Sequence, residues 1–133
     1  MASYSEYGLP LGEAFQLRDD LLGVFGDPQV TGKPAGDDLR EGKRTVLIAM
    51  AFDNAPEKER EILATSLGNQ NLSLDEINSL REIIATSGAV DRCERLITEL
   101  RDNALLALQN SSISPTIHPM LEEMAHTATA RKL

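Results

Sequence analysis

The chain has 133 residues, which is enough for one domain with a hydrophobic core of its own. Its 21 acidic residues outnumber its 13 basic residues, and the formal net charge of -8 argues against non-specific binding to nucleic acid or to an anionic membrane surface. The single cysteine, Cys93, excludes an internal disulfide framework and favours a reducing compartment.

No segment of the sequence has the pattern of a membrane helix or of a signal peptide. The longest uninterrupted apolar run covers residues 46–52, far short of the roughly 20 residues that a membrane span needs. Ser5, Glu6 and Tyr7 interrupt any apolar run near the first residue. We therefore predict a soluble protein of the cytoplasm, with no membrane span and no nucleic-acid partner.

Residues 11–25 predict a helix that is buried on nearly all sides, because apolar residues recur at helical spacing and cover most of its circumference. The exception is a narrow stripe formed by Gly12, Gln16, Asp19 and Gly23. A polar stripe on an otherwise buried helix predicts a water-filled cavity in front of it. The two glycines of the stripe are also compatible with positions where a neighbouring group packs closely.

The rest of the sequence predicts further helices and no strand. Gly26, Asp27 and Pro28 stop the first helix. A long loop over residues 29–42 follows, and loops of this length often have a function. Further helices are predicted over 44–54, from 56 to 67 or 68, from a capping box of Ser73 and Glu76 to 87 or 88, from Asp91 along an amphipathic stretch, and from Pro115 or Pro119 onward. We predict an all-α fold, an antiparallel helical bundle.

The residues that suggest chemistry are concentrated in residues 15–43, FQLRDDLLGVFGDPQVTGKPAGDDLREGK. An acidic pair, Asp19 and Asp20, lies on the predicted helix, and a loop rich in glycine and proline contains Lys33 and Lys43. An acidic pair alone is more often a solvated helix face. Because carboxylates bind Mg²⁺ and lysines contact phosphate oxygens, the pair and the loop together predict a site for a diphosphate.

The order of these residues resembles the second aspartate-rich motif of the trans-isoprenyl diphosphate synthases, the polyprenyl synthetase family. That motif is written FQ-x-x-DD-x-x-D and is followed by GK-P and by D-L-x-x-GK-x-T. The matching positions are Phe15, Gln16, Asp19, Asp20, Gly32, Lys33, Pro34, Asp38, Leu39, Gly42, Lys43 and Thr45. The resemblance extends over nearly the whole chain, and the spelling is most similar to the actinobacterial geranylgeranyl-type enzymes.

The resemblance implies that residues 1–133 form one helical segment, the C-terminal part of the isoprenoid synthase fold. It implies an Mg²⁺-dependent prenyltransferase that condenses isopentenyl diphosphate with an allylic diphosphate, through ionisation, carbocation addition and proton loss. No protein nucleophile is needed in such a reaction, because metal ions stabilise the leaving diphosphate and a dry cavity protects the cation.

By matched position, the resemblance also implies a role for each residue of the site. Asp19 is expected to ligate Mg²⁺ directly. Asp20 is expected to act through water or through contacts with the metal ligands, and Asp38 through water. The residues expected to be catalytic or to bind substrate are Asp19, Lys33, Gln16, Lys43 and Phe15. The two lysines contact diphosphate oxygens, while Gln16 lines the pocket near the reacting carbons.

The sequence departs from the family pattern in two ways. Gly23 stands where the motif has its third aspartate, and Asp27 would return to the same stripe only if the helix extended that far. The family's first aspartate-rich motif lies far upstream of the second and cannot fit into the 14 residues before Phe15. The chain therefore resembles only the C-terminal portion of such an enzyme, and we expect it to be inactive alone.

Two other functions remain open at this stage. The chain could be a noncatalytic helical subunit that completes or regulates a prenyl synthase. It could also be a terpene cyclase, since Asp19, Gly23 and Asp27 have the spacing of that group's metal triad, although a glycine has no ligating side chain. The helices over 11–25 and 46–52 should have neighbours on nearly every side, and the chain lacks the rest of the bundle, so we predict a homodimer or another form of self-association.

Overall fold

Every regular element in the described part of the chain is a helix. The computed structural model describes residues 3–111 and 113–130, with side chains from residue 6 onward. The helices of this described part are, in order, α1 Ser3–Phe25, α2 Pro28–Thr31, α3 Asp37–Glu41, α4 Val46–Asn54, α5 Glu57–Ser66, α6 Leu74–Thr86, α7 Ala89–Gln109 and α8 His118–Thr129. The all-α prediction is confirmed. Among these described helices none is long and apolar enough to cross a membrane.

Helix α1 is longer than the sequence pattern predicts. It begins at Ser3 rather than near residue 11 and continues through Pro10. A proline inside a helix removes one backbone hydrogen bond and costs about 3 kcal/mol. Tyr7 stabilises this part of the helix. Its ring is buried, and its hydroxyl donates a 2.5 Å hydrogen bond to the carbonyl of Leu121, so the first turns are held by tertiary contacts.

The segment predicted as a loop over 29–42 contains two short helices. The Asp27 carboxylate caps α2 by accepting a 2.9 Å hydrogen bond from the backbone N–H of residue 29. Gly32, Gly36 and Gly42 then adopt left-handed φ angles of 73°, 66° and 69° and bound the two helices. Helices of four and five residues show no apolar periodicity, so the sequence pattern could not reveal them.

The later helices agree more closely with the prediction because their signals are local. Ser73 and Glu76 form the expected capping box at the start of α6. Helix α4 begins at Val46, two residues later than predicted, because the Thr45 side chain accepts a hydrogen bond from the Ile48 N–H and acts as the N-cap. Helix α8 begins at His118, with Pro119 in its first turn.

The chain divides into two compact units, and α1 and α7 each contribute to both. Unit 1 contains residues 3–18 and 94–130, and its core is a cluster of Tyr7, Ala104, Leu108, Ile113 and Ala125. Unit 2 contains Asp19–Cys93. Its largest fully buried side chains are Leu21, Val24, Leu39, Leu47, Leu63, Ile77, Leu80, Ile84 and Cys93. The single helical segment predicted over residues 1–133 stays a prediction.

Candidate diphosphate and metal site

The predicted polar stripe lies on α1 and is accessible along most of its length. Gly12, Gln16 and Asp19 are exposed, and Gly23 is half-buried. Asp20, the neighbour of Asp19, is only 3% exposed. Adjacent residues on a helix point about 100° apart, so α1 directs one carboxylate of the acidic pair to solvent and the other into the protein. Asp19 is therefore the member of the pair that a dissolved ion can reach.

The half-buried glycine of the stripe is a point of close packing. A Cβ atom at position 23 would lie 1.9 Å from Oδ2 of Asp38 and 2.4 Å from its Cγ. Asp38, in the first turn of α3, is 6% exposed, so its carboxylate is packed against the backbone of α1. At Gly12, by contrast, no heavy atom lies within 4 Å of an added Cβ. The close-packing interpretation therefore holds for Gly23 and not for Gly12.

The structure brings Lys43 to the Asp38 carboxylate. The Lys43 Nζ lies 3.9 Å from Oδ2 of Asp38, and the lysine side chain is 47% exposed while that of the aspartate is 8% exposed. The backbone N–H of Lys43 also donates a 3.0 Å hydrogen bond to the Asp38 carbonyl, just beyond the Gly42 cap of α3. The ion pair is long and half-exposed and so contributes little to stability, which leaves the ammonium available for other anions.

Lys33 lies on the turn between α2 and α3, and its side chain is exposed. Its backbone N–H donates a 3.3 Å hydrogen bond to Oγ1 of Thr31, which fixes the backbone of the turn. Within the described part of the chain, no ion pair involves its ammonium group. The structure thus presents Lys33 to solvent in unit 2.

Asp27 does not compensate for the missing carboxylate on the stripe. Helix α1 ends at Phe25, and Asp27 is exposed beyond that end, where its carboxylate caps α2. The i, i+4, i+8 spacing that suggested a terpene cyclase triad is therefore not realised, because the third residue is outside the helix and Gly23 carries no ligand.

Phe15 and Gln16 belong to unit 1. Both are exposed, and the Phe15 side chain, 42% accessible, lies at a shallow cavity of about 460 Å³ that Met120 and Met124 of α8 also line. This cavity is mainly apolar. A surface of that kind suits a hydrocarbon group or another helix.

The chemistry of the donor set fits a divalent metal such as Mg²⁺. Among residues 3–111 and 113–130 there is no group of three or more His, Cys, Asp or Glu side chains arranged to hold an ion. Mg²⁺, however, keeps several waters and takes one or two carboxylates together with substrate oxygens, rather than a complete protein cage. Asp19, with Asp38 packed one helical turn further along α1, meets that requirement.

The family assignment follows from comparison with known proteins. The family model described as polyprenyl synthetase matches residues 1–84. The chain belongs to the polyprenyl synthetase family. A geranylgeranyl diphosphate synthase from Saccharolobus solfataricus is 44% identical over 80 residues, which are 60% of this chain and 24% of that protein. One from Mycobacterium tuberculosis is 31% identical over 117 residues, which are 88% of this chain and 33% of that protein.

Solved structures agree with the sequence relatives. The geranylgeranyl pyrophosphate synthase of Corynebacterium glutamicum, complexed with isoprenyl diphosphate and magnesium, is 42% identical and matches 96% of this chain with a TM-score of 0.88. The match covers 36% of that chain. The predicted isoprenoid synthase fold and the similarity to geranylgeranyl-type enzymes, including actinobacterial ones, are thus confirmed. The matched residues of this chain span about a quarter to a third of the length of these relatives.

The sequence analysis did not identify two arginines, Arg18 and Arg81, that hold α1 in place. In unit 1, Arg18 is 7% exposed and makes a bidentate pair with Glu94 of α7, with two N···O distances of 2.7 Å. Its Nε donates to the Thr129 carbonyl at 3.1 Å. The sequence did indicate that Arg18 is buried. It lies four residues from the apolar Ala14 and four from the apolar Leu22, so all three share one side of the helix.

In unit 2, Arg81 of α6 holds the end of α1. Its Nε donates a 2.6 Å hydrogen bond to the carbonyl of Val24, one of the terminal carbonyls that has no partner within the helix. Burial, with a smaller contribution from the like charge of Arg40, lowers the pKa of Arg81. Nothing in the local sequence indicates this contact, because it joins residues 57 positions apart.

Proposed function

We propose that this chain is the part of a geranylgeranyl-type isoprenyl diphosphate synthase that binds metal and diphosphate through the second aspartate-rich motif. The complete protein then condenses isopentenyl diphosphate with an allylic diphosphate. The observation that carries the proposal is the exposed Asp19 on α1, with the Asp38 carboxylate packed one turn further along the same helix and paired with Lys43. An accessible carboxylate and an adjacent available ammonium are what a metal-bound diphosphate requires.

The proposed roles of the carboxylates follow from their exposure. Asp19 binds the metal directly, since it is the exposed carboxylate on the stripe. Asp38 acts through water, because its carboxylate is buried against α1. Asp20 is buried beside Asp19 and acts through water or through the side chains around it. When bound, Mg²⁺ neutralises the charge that develops on the leaving diphosphate.

The two lysines supply positive charge to the diphosphate oxygens. Lys33 reaches them from the turn between α2 and α3, where its side chain is exposed. Lys43 exchanges its weak contact with Asp38 for the diphosphate, which carries more negative charge. Phe15 and Gln16 line the hydrocarbon side of the substrate, and their exposure on α1 supports this role.

The proposal also includes the substrates, the self-association and the cellular location of the protein. Isopentenyl diphosphate and allylic diphosphates are the substrates, and the protein self-associates through its exposed apolar side chains. We also propose a cytoplasmic location, which the single buried thiol of Cys93 supports, since it needs no oxidising compartment.

A segment exchange tests the proposal directly. The matched third of the C. glutamicum synthase is replaced by this chain, and Mg²⁺-dependent incorporation of labelled isopentenyl diphosphate is measured with an allylic partner. We expect turnover by the chimaera and none by this chain alone. As a second measurement, calorimetry follows binding of inorganic pyrophosphate with Mg²⁺ to the isolated chain and to its Asp19→Ala variant.

The two measurements together test the proposed function even if the chimaera folds poorly. Pyrophosphate binding that requires Mg²⁺ and weakens on Asp19→Ala supports the site. A chimaera with native helix content but no turnover, combined with an isolated chain that does not bind Mg²⁺ and pyrophosphate, would favour a noncatalytic helical subunit instead. Turnover by the isolated chain would show that it needs no further segment.

A further inference from the structure

Arg40 of α3 and Arg81 of α6 are each held by two uncharged oxygen atoms of unit 2. Arg40 donates from Nε to the Leu72 carbonyl at 3.2 Å and from Nη1 to the Ala35 carbonyl at 2.8 Å. Arg81 donates from Nε to the Val24 carbonyl at 2.6 Å and from Nη1 to the side-chain amide oxygen three residues earlier on α6, at 3.3 Å. These contacts fix the orientation of both guanidinium groups and leave their positive charges unneutralised.

Both guanidinium groups keep hydrogen-bond donors that face solvent. Neither Arg40 nor Arg81 forms an ion pair with any residue in the described part of the chain. A guanidinium has five N–H donors, of which two are used in each arginine, so three remain, including both on Nη2. Within residues 3–111 and 113–130 neither Nη2 atom is a buried nitrogen without a partner, so both are in contact with solvent. An oriented guanidinium with accessible donors and no counter-charge is suited to bind an anion.

The two arginines lie near each other because α3 packs against α6. A Cβ atom at Gly36, the N-cap of α3, would lie 2.5 Å from Cγ2 of Ile77 on α6. Arg40 follows Gly36 by four residues and Arg81 follows Ile77 by four, so each arginine is about one helical turn from this contact. Burial, and then the positive charge of Arg40, lowers the pKa of Arg81, so the two like charges are near enough to repel each other.

Arg40 points away from the carboxylate that we assign to the metal site. Asp38 and Arg40 are two residues apart on α3, which corresponds to about 200° around the helix. Asp38 packs against α1 at Gly23, whereas Arg40 contacts the Leu72 carbonyl, just before α6 begins. The two arginines therefore form a separate group of charges on the other side of α3 from Asp38.

We propose that Arg40 and Arg81 form a second anion site, which binds a phosphoryl group without a metal ion. Such a group carries a charge of about -1.5 to -2 at neutral pH and several acceptor oxygens, so a single group can accept from both guanidiniums and neutralise both. A carboxylate has one charge and a planar pair of oxygens that matches one guanidinium. The site goes beyond the proposed function, because it needs neither the metal nor the lysines.

Side-chain nuclear magnetic resonance tests the site in the wild-type chain. Inorganic phosphate is added at constant ionic strength and in EDTA, so that no divalent metal can hold an anion at Asp19. We expect the Nε–H signals of Arg40 and Arg81 to shift along one common saturation curve. The signal of Arg92, which is exposed on α7, is the control for general charge screening and should not follow that curve.

Variants test whether the two arginines act as one site. In Arg40→Gln the Arg81 signal reports the phosphate affinity, and in Arg81→Gln the Arg40 signal reports it. We expect each variant to bind phosphate about tenfold more weakly, because half of the charged donors are lost. Arg92→Gln removes the same charge outside the site and should change the affinity by less than about twofold.

A second titration with inorganic pyrophosphate distinguishes the source of the phosphoryl group. Tighter binding of phosphate supports a free phosphate ion as the ligand, and tighter binding of pyrophosphate supports a diphosphate.

Three results would overturn the site. The first is a wild-type chain whose Arg40 and Arg81 signals do not respond to phosphate, which needs no variant. The second is a pair of signals that do not saturate together. The third is a Lys33→Gln variant that loses as much phosphate affinity as the arginine variants do. None of these results contradicts the proposed function, which is tested by pyrophosphate binding that requires Mg²⁺.

Discussion

Asp19 and Asp20 are adjacent in the sequence but differ in their exposure to solvent and dissolved ions. The first is exposed and the second is 3% exposed, so their contributions to the protein differ. Loss of a carboxylate at the surface removes a potential ligand and disturbs little packing. Loss of a buried one disturbs the helix around it, since a buried polar group is held by partners. A substitution at Asp19 should therefore affect mainly metal binding, and one at Asp20 mainly stability.

The first prediction concerns Asp19. In the segment-exchange synthase, Asp19→Ala should lower turnover by about 10²–10³-fold, by analogy with the loss of other groups that stabilise developing charge. The melting temperature should change little because the side chain is exposed. Steady-state kinetics at saturating Mg²⁺ measure the effect, with His126→Ala, an exposed position on α8, as the control. Near-normal turnover of the Asp19 variant would place the metal site elsewhere.

The second prediction uses the 3.9 Å contact between Lys43 and Asp38. Lys43→Gln removes a positive charge beside a carboxylate, so affinity for Mn²⁺ alone should rise by about threefold, the size expected of a half-exposed charge pair. Affinity for pyrophosphate in the presence of Mg²⁺ should fall, since a phosphate contact is lost. Calorimetry and electron paramagnetic resonance measure the two effects, and Lys58→Gln on α5 serves as the control. Changes of the same sign would contradict the exchange role of Lys43.

At the scale of the element, α1 is held by side chains from other helices. Arg18 connects it to α7 and to the end of α8, while Arg81 of α6 holds the Val24 carbonyl. The Arg18 guanidinium is nearly buried, but the Glu94 side chain is 40% exposed. Removing one partner therefore has an unequal effect, because a buried arginine left alone cannot recover its solvation whereas an exposed glutamate can.

The third prediction follows from this inequality. Glu94→Ala should destabilise the chain by about 2–3 kcal/mol, and Arg18→Met by less, since methionine fills apolar space and leaves Glu94 in water. Urea unfolding gives both free energies. Glu99→Ala, at an exposed position of the same helix, is the control and should change stability by less than about 0.5 kcal/mol. A larger loss for Arg18→Met than for Glu94→Ala would contradict the argument.

The fourth prediction concerns pH and the start of α1. Burial raises the pKa of Tyr7 above its ordinary value. The folded state thus holds the phenol proton more tightly than the unfolded state, so this contribution is complete below about pH 10 and is lost as pH rises through the folded pKa. Unfolding free energies measured from neutral to alkaline pH should fall more steeply in the wild type than in Tyr7→Phe. Parallel slopes would show that Tyr7 does not drive the alkaline loss.

The same scale shows what the sequence could and could not predict. The capping box of Ser73 and Glu76 was predictable, because both signals lie within one turn. Apolar periodicity likewise located most helices and gave the fold class. The packing of Asp38 against Gly23 was not predictable, since it depends on how the short α3 meets α1, and the pair of Arg18 with Glu94 joins residues 76 positions apart. A contact between residues so far apart in the chain cannot be predicted from the pattern of neighbouring residues.

At the scale of the whole molecule, exposed apolar side chains occur in both units. Leu9, Met120 and Met124 of unit 1 are 68%, 55% and 53% exposed, and Val30 and Leu74 of unit 2 are 76% and 56% exposed. Each square ångström of apolar surface removed from water contributes about 25 cal/mol, so these side chains favour association. The matched residues of this chain cover only 24% to 36% of the length of these relatives.

The fifth prediction is that the isolated chain self-associates. Sedimentation velocity should show a mass that rises with concentration, and a hydrophobic dye should fluoresce in its presence. Replacing Met120 and Met124 together with lysine should reduce both signals, since these side chains lie at the shallow cavity beside Phe15. Thr127→Lys is a matched control for added charge at the same cavity and should reduce them less. A strictly monomeric chain that binds no dye would contradict this prediction.

The hydrogen bonds from Tyr7 to Leu121 and from Arg18 to Thr129 join residues 114 and 111 positions apart. A ribosome adds about 5–20 residues per second, so the partners of the first helix are synthesised on the order of 10 s after it. During that interval the ribosome synthesises all of Asp19–Cys93. The beginning of α1 therefore cannot form these contacts until residues 121–129 have been synthesised, and we expect a chaperone to protect its apolar side chains during that delay.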